Sequence, residues 1–327
     1  MIRTSHYLFA ALCLGSLFAC SRQFTDSYIV PKWCFAVFML FIVLAYEAVN
    51  ILFYRQNEQK DTRISVYGFI IVISCFLQAM FGVVQFFGFF QISTTLWVTG
   101  SFDNPAGFAA CLCAGFPFVG FLLSDSNKYI RYVGGLIGFV IVIAVILSQS
   151  RAGIMSIAFI CFILLNMKFF HKRWVKYLSL LCFALLLSGC YWMKKDSADG
   201  RLLIWRCSVS MVKDAPWLGH GIGSFEARYM DYQADYFRQY GLNRYSMLAD
   251  NVKHPFNEYL GVLLNFGFVG LLMILALITL LIYCYKKHPC AEKRIAFYSL
   301  ISIGVFSFFS YTFTYPFTWI VTFLCII

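Results

Sequence analysis

Charge is scarce in this chain of 327 residues: only 13% are Asp, Glu, Lys or Arg, about half the share of a soluble domain. With 61% hydrophobic residues besides, the chain is neither disordered nor an ordinary soluble enzyme. Metal-type cysteine spacing is also missing. The 13 cysteines form no Cys-x-x-Cys pair and no Cys/His cluster, so neither a zinc site nor a disulfide framework is expected. Cys13, Cys34, Cys75, Cys111, Cys113, Cys161, Cys182 and Cys325 lie inside apolar runs, where a thiol acts as a small hydrophobe. Acidic residues are fewer than basic ones, 15 against 26, for a net charge of +11. In a soluble protein that would suggest nucleic acid as a partner. Here the cations sit in short clusters between apolar runs and no nucleic-acid motif accompanies them, so no nucleic-acid partner is expected.

What is abundant is apolar sequence, with 20% aromatic residues and a mean hydropathy of +0.75. A spanning helix needs about 20 mostly apolar residues. The stretches 7–20, 33–54, 65–90, 106–123, 130–148, 153–168, 175–193, 256–285, 296–311 and 316–327 qualify or nearly so. The expected fold is all-α: residues 1–327 form one polytopic membrane helix bundle of about ten transmembrane helices. The first stretch, ending in Leu17-Phe18-Ala19-Cys20, loosely resembles a lipoprotein cleavage box. The bulky Phe18 suits such a box poorly, so a first membrane helix is the expectation.

Orientation follows from Lys and Arg. With the N-terminus inside, the basic clusters at 55–63, 128–131, 168–176 and 286–294 all fall on the inner side. The short outer loops then carry Arg22, Lys32 and Arg151, a clear positive-inside bias. The segment 194–255 is long and polar and is expected in the periplasm, where its own charges do not vote. The loop 91–105, containing Trp97, and the turn 148–152 face the same side.

The long segment has helical patterning. Apolar residues at 202, 205, 209 and 212 predict a helix, with Asp199 as its N-cap and Ala215-Pro216 as its end. A second helix is expected after Gly219-His220-Gly221-Ile222-Gly223-Ser224, from the aromatic stripe at 225, 229, 232, 236 and 240. The glycine-rich stretch is either a phosphate-binding turn ahead of a helix or a plain turn. The stripe either packs on a neighbour or stacks on sugars through Tyr229, Tyr232 or Tyr236. Arg151, in Ser148-Gln149-Ser150-Arg151-Ala152-Gly153, is either a snorkelling residue at the membrane edge or a fork of donors for phosphate. His254 stands where the segment re-enters the bilayer, beside Asn257 and Glu258. Its ordinary pKa near 6.5 suits a general base, and if a helix begins there, 254 and 257 share a face.

Taken in order, these residues resemble the O-antigen ligase and O-antigen polymerase family. The resemblance rests on Gly100-Ser101-Phe102-Asp103-Asn104-Pro105, Ser150-Arg151-Ala152-Gly153 and Arg201-x-x-Ile204-Trp205. It continues through Asp214-Ala215-Pro216-Trp217-Leu218-Gly219-His220-Gly221-Ile222-Gly223-Ser224-Phe225 and His254-Pro255-Phe256-Asn257-Glu258-Tyr259-Leu260 to Gly267-x-x-Gly270, with Tyr315-Pro316-Phe317 in the tail. It covers roughly 95–327. It implies a membrane glycosyltransferase, independent of metal and of any cofactor, in the bacterial inner membrane. Such an enzyme takes a glycan from an undecaprenyl-diphosphate carrier. It passes the glycan to lipid A–core or to another glycan at the periplasmic face, by an inverting displacement. Arg151 and Arg201 are then expected to hold the diphosphate and His254 to be the base. Trp205, Arg206, Asn104, Asn257 and Glu258 are expected at the substrate, and these groups are expected to converge at the outer rim. Glu258 and Asp103 are the alternative bases. The chain departs from the family at one place: a histidine often directly precedes the asparagine, and here that residue is Phe256. A lipid-linked-glycan transporter and a non-catalytic membrane partner protein are the rival readings. The lack of an internal repeat and the concentration of polar residues on one face favour transfer over transport.

Overall fold

The computed structural model of the chain describes residues 2–54, 60–89, 98–168, 173–193, 195–287 and 289–326. The expectations around Trp97, Arg55 and Lys172 lie outside these residues. The helices in chain order are α1 (Ile2–Phe18), α2 (Ile29–Tyr54), α3 (Lys60–Phe86), α4 (Pro105–Gly115), α5 (Val119–Leu123), α6 (Lys128–Leu147) and α7 (Arg151–Lys168). After them come α8 (Arg173–Met193), α9 (Lys195–Asp214), α10 (Ser224–Tyr240), α11 (Glu258–Lys287), α12 (Ala291–Phe309) and α13 (Pro316–Ile326). Among the described residues there is no strand, in keeping with the all-α expectation.

Among the described residues, five helical stretches are long and apolar enough to cross a membrane: Ile29–Val49, Ser65–Phe86, Pro105–Leu123, Lys128–Leu147 and Glu258–Lys287. Each coincides with a stretch anticipated from hydropathy. Shorter apolar helices at Thr4–Phe18, Arg151–Met167 and Pro316–Ile326 coincide with three more. The remaining two stretches are the helices α8 and α12. On α11 the side chains of Phe268, Leu272, Met273, Leu275 and Leu280 are all exposed. A continuous apolar face of this kind is foreign to a soluble monomer and normal against lipid.

The chain divides into two compact units. The first holds residues 1–160, 289–306 and 312–327; the second holds 161–288 and 307–311. At the centre of the first unit is α4, buried from Gly107 to Gly115. Its sequence of Ala, Gly and Cys gives it a slim, uncharged surface that neighbours can approach closely. The hydroxyls of Ser299 and Ser302 on α12 donate to the carbonyls of Ala114 and Cys113 at 2.6 and 2.7 Å. Hydrogen bonds satisfied inside the protein are what such polar groups require away from water.

In the second unit, α9 and α10 pack on each other and on the start of α11. Leu203, Ile204, Cys207, Met211, Phe225, Tyr229, Tyr245 and Leu264 form their core. The helix read from 202, 205, 209 and 212 is present, but the hydropathy pattern misjudges its inner face. Leu203, Ile204, Cys207, Ser208 and Met211 are buried, whereas Val209 is exposed. The small polar Ser208 is admitted because its hydroxyl donates to the Ile204 carbonyl at 2.8 Å. Asp199 is not the N-cap, because α9 begins at Lys195. Asp199 is instead a buried residue that accepts from the Tyr191 hydroxyl at 3.1 Å. On α10 the aromatic stripe packs inward at its start, where Phe225 and Tyr229 stack with centroids 4.9 Å apart.

Helix α11 is interrupted at Gly267, whose φ of 62° and ψ of −158° leave the helical region. The break is filled by the segment after α9. His220 and Gly221 donate to the carbonyls of Leu264 and Asn265, while Phe268 and Val269 donate to those of Pro216 and Trp217, at 2.7–3.2 Å. The four backbone bonds satisfy groups that the interruption would otherwise strand inside an apolar span, where each unsatisfied group costs several kcal/mol. The approach is close: a Cβ on Gly267 would collide with the Trp217 backbone, and one on Gly219 with that of Asn265 and Gly267. The glycine-rich stretch thus acts as a backbone splice, with the His220 and Gly221 amides committed to α11. Gly267→Val should therefore destabilise the protein by more than the roughly 1–3 kcal/mol of backbone strain alone. A marked fall in the melting temperature of the detergent-purified protein is the expected result, while Gly135→Ala, with open space at its Cβ, should change it little.

Candidate functional site

In the second unit, Arg201 and His254 belong to one aromatic cluster. Arg201 lies near the start of α9, where an Nη1–H donates to the carbonyl of Phe309 at 2.6 Å. Its guanidinium carbon lies 5.0 Å from the centroid of the Phe256 ring, a cation–π arrangement. Phe256 meets Tyr311 edge-on at 5.3 Å, and Tyr311 stacks on the His254 imidazole at 4.7 Å. A guanidinium and an imidazole 53 positions apart in the sequence are thereby held by two shared rings. Trp205, one turn along from Arg201, fixes the segment carrying the histidine: its indole N–H donates to the Pro255 carbonyl at 3.0 Å.

His254 is not placed by a helix, as the shared-face expectation supposed. Helix α11 starts at Glu258. Asn257 caps it, with Oδ1 accepting from the Leu260 amide at 3.0 Å. Phe256, just before the cap, has a φ of 53°. That left-handed conformation is costly for a bulky residue, and such strain concentrates at functional sites. His254 is held by its stack on Tyr311 in a half-buried position. Burial lowers its pKa below the usual histidine value, Lys253 lowers it further, and Glu226 on α10 opposes both. The neutral imidazole, able to accept a proton, is the form this setting favours at neutral pH.

The other expected substrate residues divide. Asn257 is buried and engaged as a cap, while Glu258 opens the first turn of α11. Arg206 faces α10, donating to the Tyr236 hydroxyl at 3.3 Å and lying 5.1 Å from the Tyr245 ring centroid. His220 has both ring nitrogens engaged, Nε2 with the Met211 carbonyl at 2.7 Å and Nδ1 with Arg228 at 3.1 Å. It is a structural residue.

Arg151 and Asn104 belong to the first unit. Arg151 is the first residue of α7 and is only 8% exposed, so it is buried and does not snorkel along the surface. The turn before it is fixed by Gln149 at a φ of 53° and by Ser150, whose Oγ accepts from the Gly153 amide at 3.4 Å. A Cβ on Gly153 would meet Val145 and Ala109 at 2.8 and 2.9 Å, which explains the small residue two places after the arginine. Asn104 is the N-cap of α4. Its Oδ1 accepts from the Gly107 amide at 2.8 Å and from the Tyr315 hydroxyl at 3.2 Å, and its Nδ2 donates to Asp103 at 3.0 Å. These bonds give Asn104 a structural role and tie two family motifs, 100–105 and 315–317, to each other.

Two further residues, Lys32 and Tyr311, stand in places that the sequence does not give away. Lys32, an outer-loop cation by the sequence pattern, lies inside α2 and is fully buried. Its ammonium donates to the carbonyls of Ser101 at 2.8 Å and Ala19 at 3.0 Å and lies 4.8 Å from the Phe102 ring centroid. Gln85 holds the same loop, accepting from the amides of Thr99 and Gly100 at 2.9 and 2.8 Å. A lysine at the edge of an apolar span is itself a signal, because such a cation is expensive unless partnered. Tyr311, the ring between His254 and Phe256, carries no motif and had no comparable signal.

No curated protein matches the chain. Residues 136–275 match the family described as O-antigen ligase, a range that takes in the Arg151 turn, the Arg201 helix, the spliced break in α11 and the His254 segment. That match, over less than half of the chain, supports the resemblance to the O-antigen ligase and polymerase family.

Proposed function

We propose that this protein is a membrane glycosyltransferase of the bacterial inner membrane. On this reading it takes a glycan from an undecaprenyl-diphosphate donor and transfers it to lipid A–core or to another glycan at the periplasmic face. The observation that carries the reading is the cluster in which Phe256 and Tyr311 hold Arg201 and His254. A guanidinium offers the charge and the fork of donors that suit phosphate oxygens, and a neutral imidazole is a proton acceptor.

In this mechanism His254 takes the proton of the acceptor hydroxyl as that oxygen attacks the anomeric carbon. The bond from that carbon to the phosphate oxygen breaks, and its electron pair leaves on the undecaprenyl diphosphate. Attack opposite the leaving group inverts the anomeric centre. Arg201 stabilises the charge that grows on the diphosphate, a contribution of a few kcal/mol when the donor is preorganised. Arg151 enters as a second diphosphate-binding arginine from its Ser-Arg-Ala-Gly motif and its buried position. The protein's own groups supply all of this chemistry, without a metal or cofactor. Asn257 and Trp205 act by positioning the His254 segment.

The test is reconstitution of the purified chain in liposomes with a radiolabelled undecaprenyl-diphosphate glycan and an acceptor. New glycosidic product supports the proposal. Movement of the carrier across the bilayer without product would make the protein a transporter, and neither product nor movement would make it a non-catalytic partner.

The pH dependence of transfer follows from His254. A base with a lowered pKa stays deprotonated further into acid, so the acidic limb of the rate profile should fall below the range of an ordinary histidine. Glu226→Gln removes the group that raises this pKa and should move the limb to still lower pH. Lys253→Met removes one that lowers it and should move the limb upward. Limbs that stay in place in both variants would remove His254 from the rate.

A further inference from the structure

Helices α9 and α10 enclose an open cleft of ≈ 710 Å³ that the chemistry above does not use. Trp205 stands at the boundary between this cleft and the His254 segment, lining the one and hydrogen-bonding the other. On the α10 side, Tyr232, Tyr236 and Tyr240 follow at intervals of four residues and so share one face. Tyr236 and Tyr240 present neighbouring rings with centroids 4.9 Å apart, and Tyr240 is 60% exposed. Gln239 and Asp235 offer amide and carboxylate groups beside them, and Arg206 and Lys213 face them from α9. Tyr232 donates to Asp214 at 2.6 Å, tying the two walls together.

The lining selects among ligand classes. Two cations, Arg206 and Lys213, share the lining with two carboxylates, Asp214 and Asp235, the latter paired with Arg238 at 2.8 Å, and a polyanion would meet both carboxylates. An acyl chain would leave these polar groups without water or partner, at a cost. One exposed and several half-buried rings with planar polar side chains between them suit a molecule that has both C–H faces and many hydroxyls. We propose that the α9–α10 cleft is a subsite for the glycan chain, running from Trp205 toward Tyr240 and holding the sugars beyond the reacting one. This rests on the glycosyltransferase reading and extends it from the reacting bond to the length of the substrate.

The test uses the full-length protein in detergent micelles and, as probe, the water-soluble oligosaccharide released by mild acid from the cell's lipid-linked glycan. Binding is followed by saturation-transfer NMR. Transfer is measured in liposomes with donors of one and of several repeat units. Tyr240→Ala and Gln239→Ala should each weaken oligosaccharide binding by about tenfold, a typical loss for truncating a key contact. Each should raise the KM for the longer donor while leaving kcat and the one-repeat donor unchanged. Variants that bind and transfer both donors like the wild type would overturn the subsite while leaving the transferase intact. Oligosaccharide binding lost in both variants, in a wild type that forms no glycosidic product, would support the subsite and overturn the transferase reading instead. A probe that does not bind the wild type would overturn the subsite.

Discussion

Replacing His254 with alanine is expected to lower glycan transfer by about 10²–10⁴-fold, the usual contribution of a general base. The fall should appear in kcat, because the imidazole acts on the acceptor proton as the bond forms and adds little to binding of the donor. Folding should be largely spared. His254 is half-buried and is placed by a stack on Tyr311, whereas the break in α11 and the core of α9 and α10 are built from other residues. A His254→Asn variant, which keeps polarity and approximate shape without the base, should be as impaired as His254→Ala. Intact melting behaviour with transfer near the wild-type rate in both would show that another group takes the proton.

The second large effect is expected at Arg201. Removing a preorganised donor from a developing oxyanion costs about 10²–10³-fold, and Arg201→Ala should lose at least that. Arg201→Lys is the more telling change. Lysine keeps the positive charge, but it lacks the flat guanidinium that lies over Phe256 and donates to the Phe309 carbonyl. A compact ammonium on a flexible stem cannot hold both contacts and a phosphate fork at one time. Transfer in Arg201→Lys should therefore stay far below wild type. Phe256→Leu, which removes the ring under the guanidinium and its edge contact with Tyr311, should give a smaller loss of transfer. A fully active Arg201→Lys would reduce the role of this residue to charge alone.

The contrast between Arg201 and Arg151 shows how far the sequence reaches. Arg151 is singled out by the cost of a cation at the edge of an apolar segment, whereas Arg201 is legible only through the motif Arg201-x-x-Ile204-Trp205 that carries the family resemblance. What lies around them is less visible. Arg151 is flanked by the apolar runs 130–148 and 153–168 and could be read either as an interface residue or as a clamp. Its burial depends on tight packing at Gly153, which no local pattern reports. For Arg201 the missing information is a ring from a distant segment: Tyr311 follows α12 by two positions and meets His254 only through the fold.

Helix positions were legible because long apolar runs dominate this chain, and such runs fix a span wherever they are packed. The inner face of α9 was not, because small polar residues such as Ser208 are buried there and Val209 is exposed. The coupling of 215–221 to Gly267 was half legible. Both glycine motifs stand out, yet nothing in either says that the backbone of one repairs the break in the other. Lys32 reads as a loop residue because α2 begins earlier than the apolar run does, at Ile29. In each case the error comes from the same source: hydropathy records how much a side chain prefers to leave water, while hydrogen bonds decide which polar groups may leave with it.

The measurement that bears most directly on the division of labour compares binding with turnover in one preparation. Radiolabelled undecaprenyl-diphosphate glycan is photo-crosslinked to wild-type, His254→Ala and Arg201→Lys protein in liposomes, and product is counted in parallel. The expected result is that His254→Ala captures the donor like wild type and forms almost no product, whereas Arg201→Lys is deficient in both. Wild-type turnover by His254→Ala, or undiminished capture and turnover by Arg201→Lys, would contradict the account.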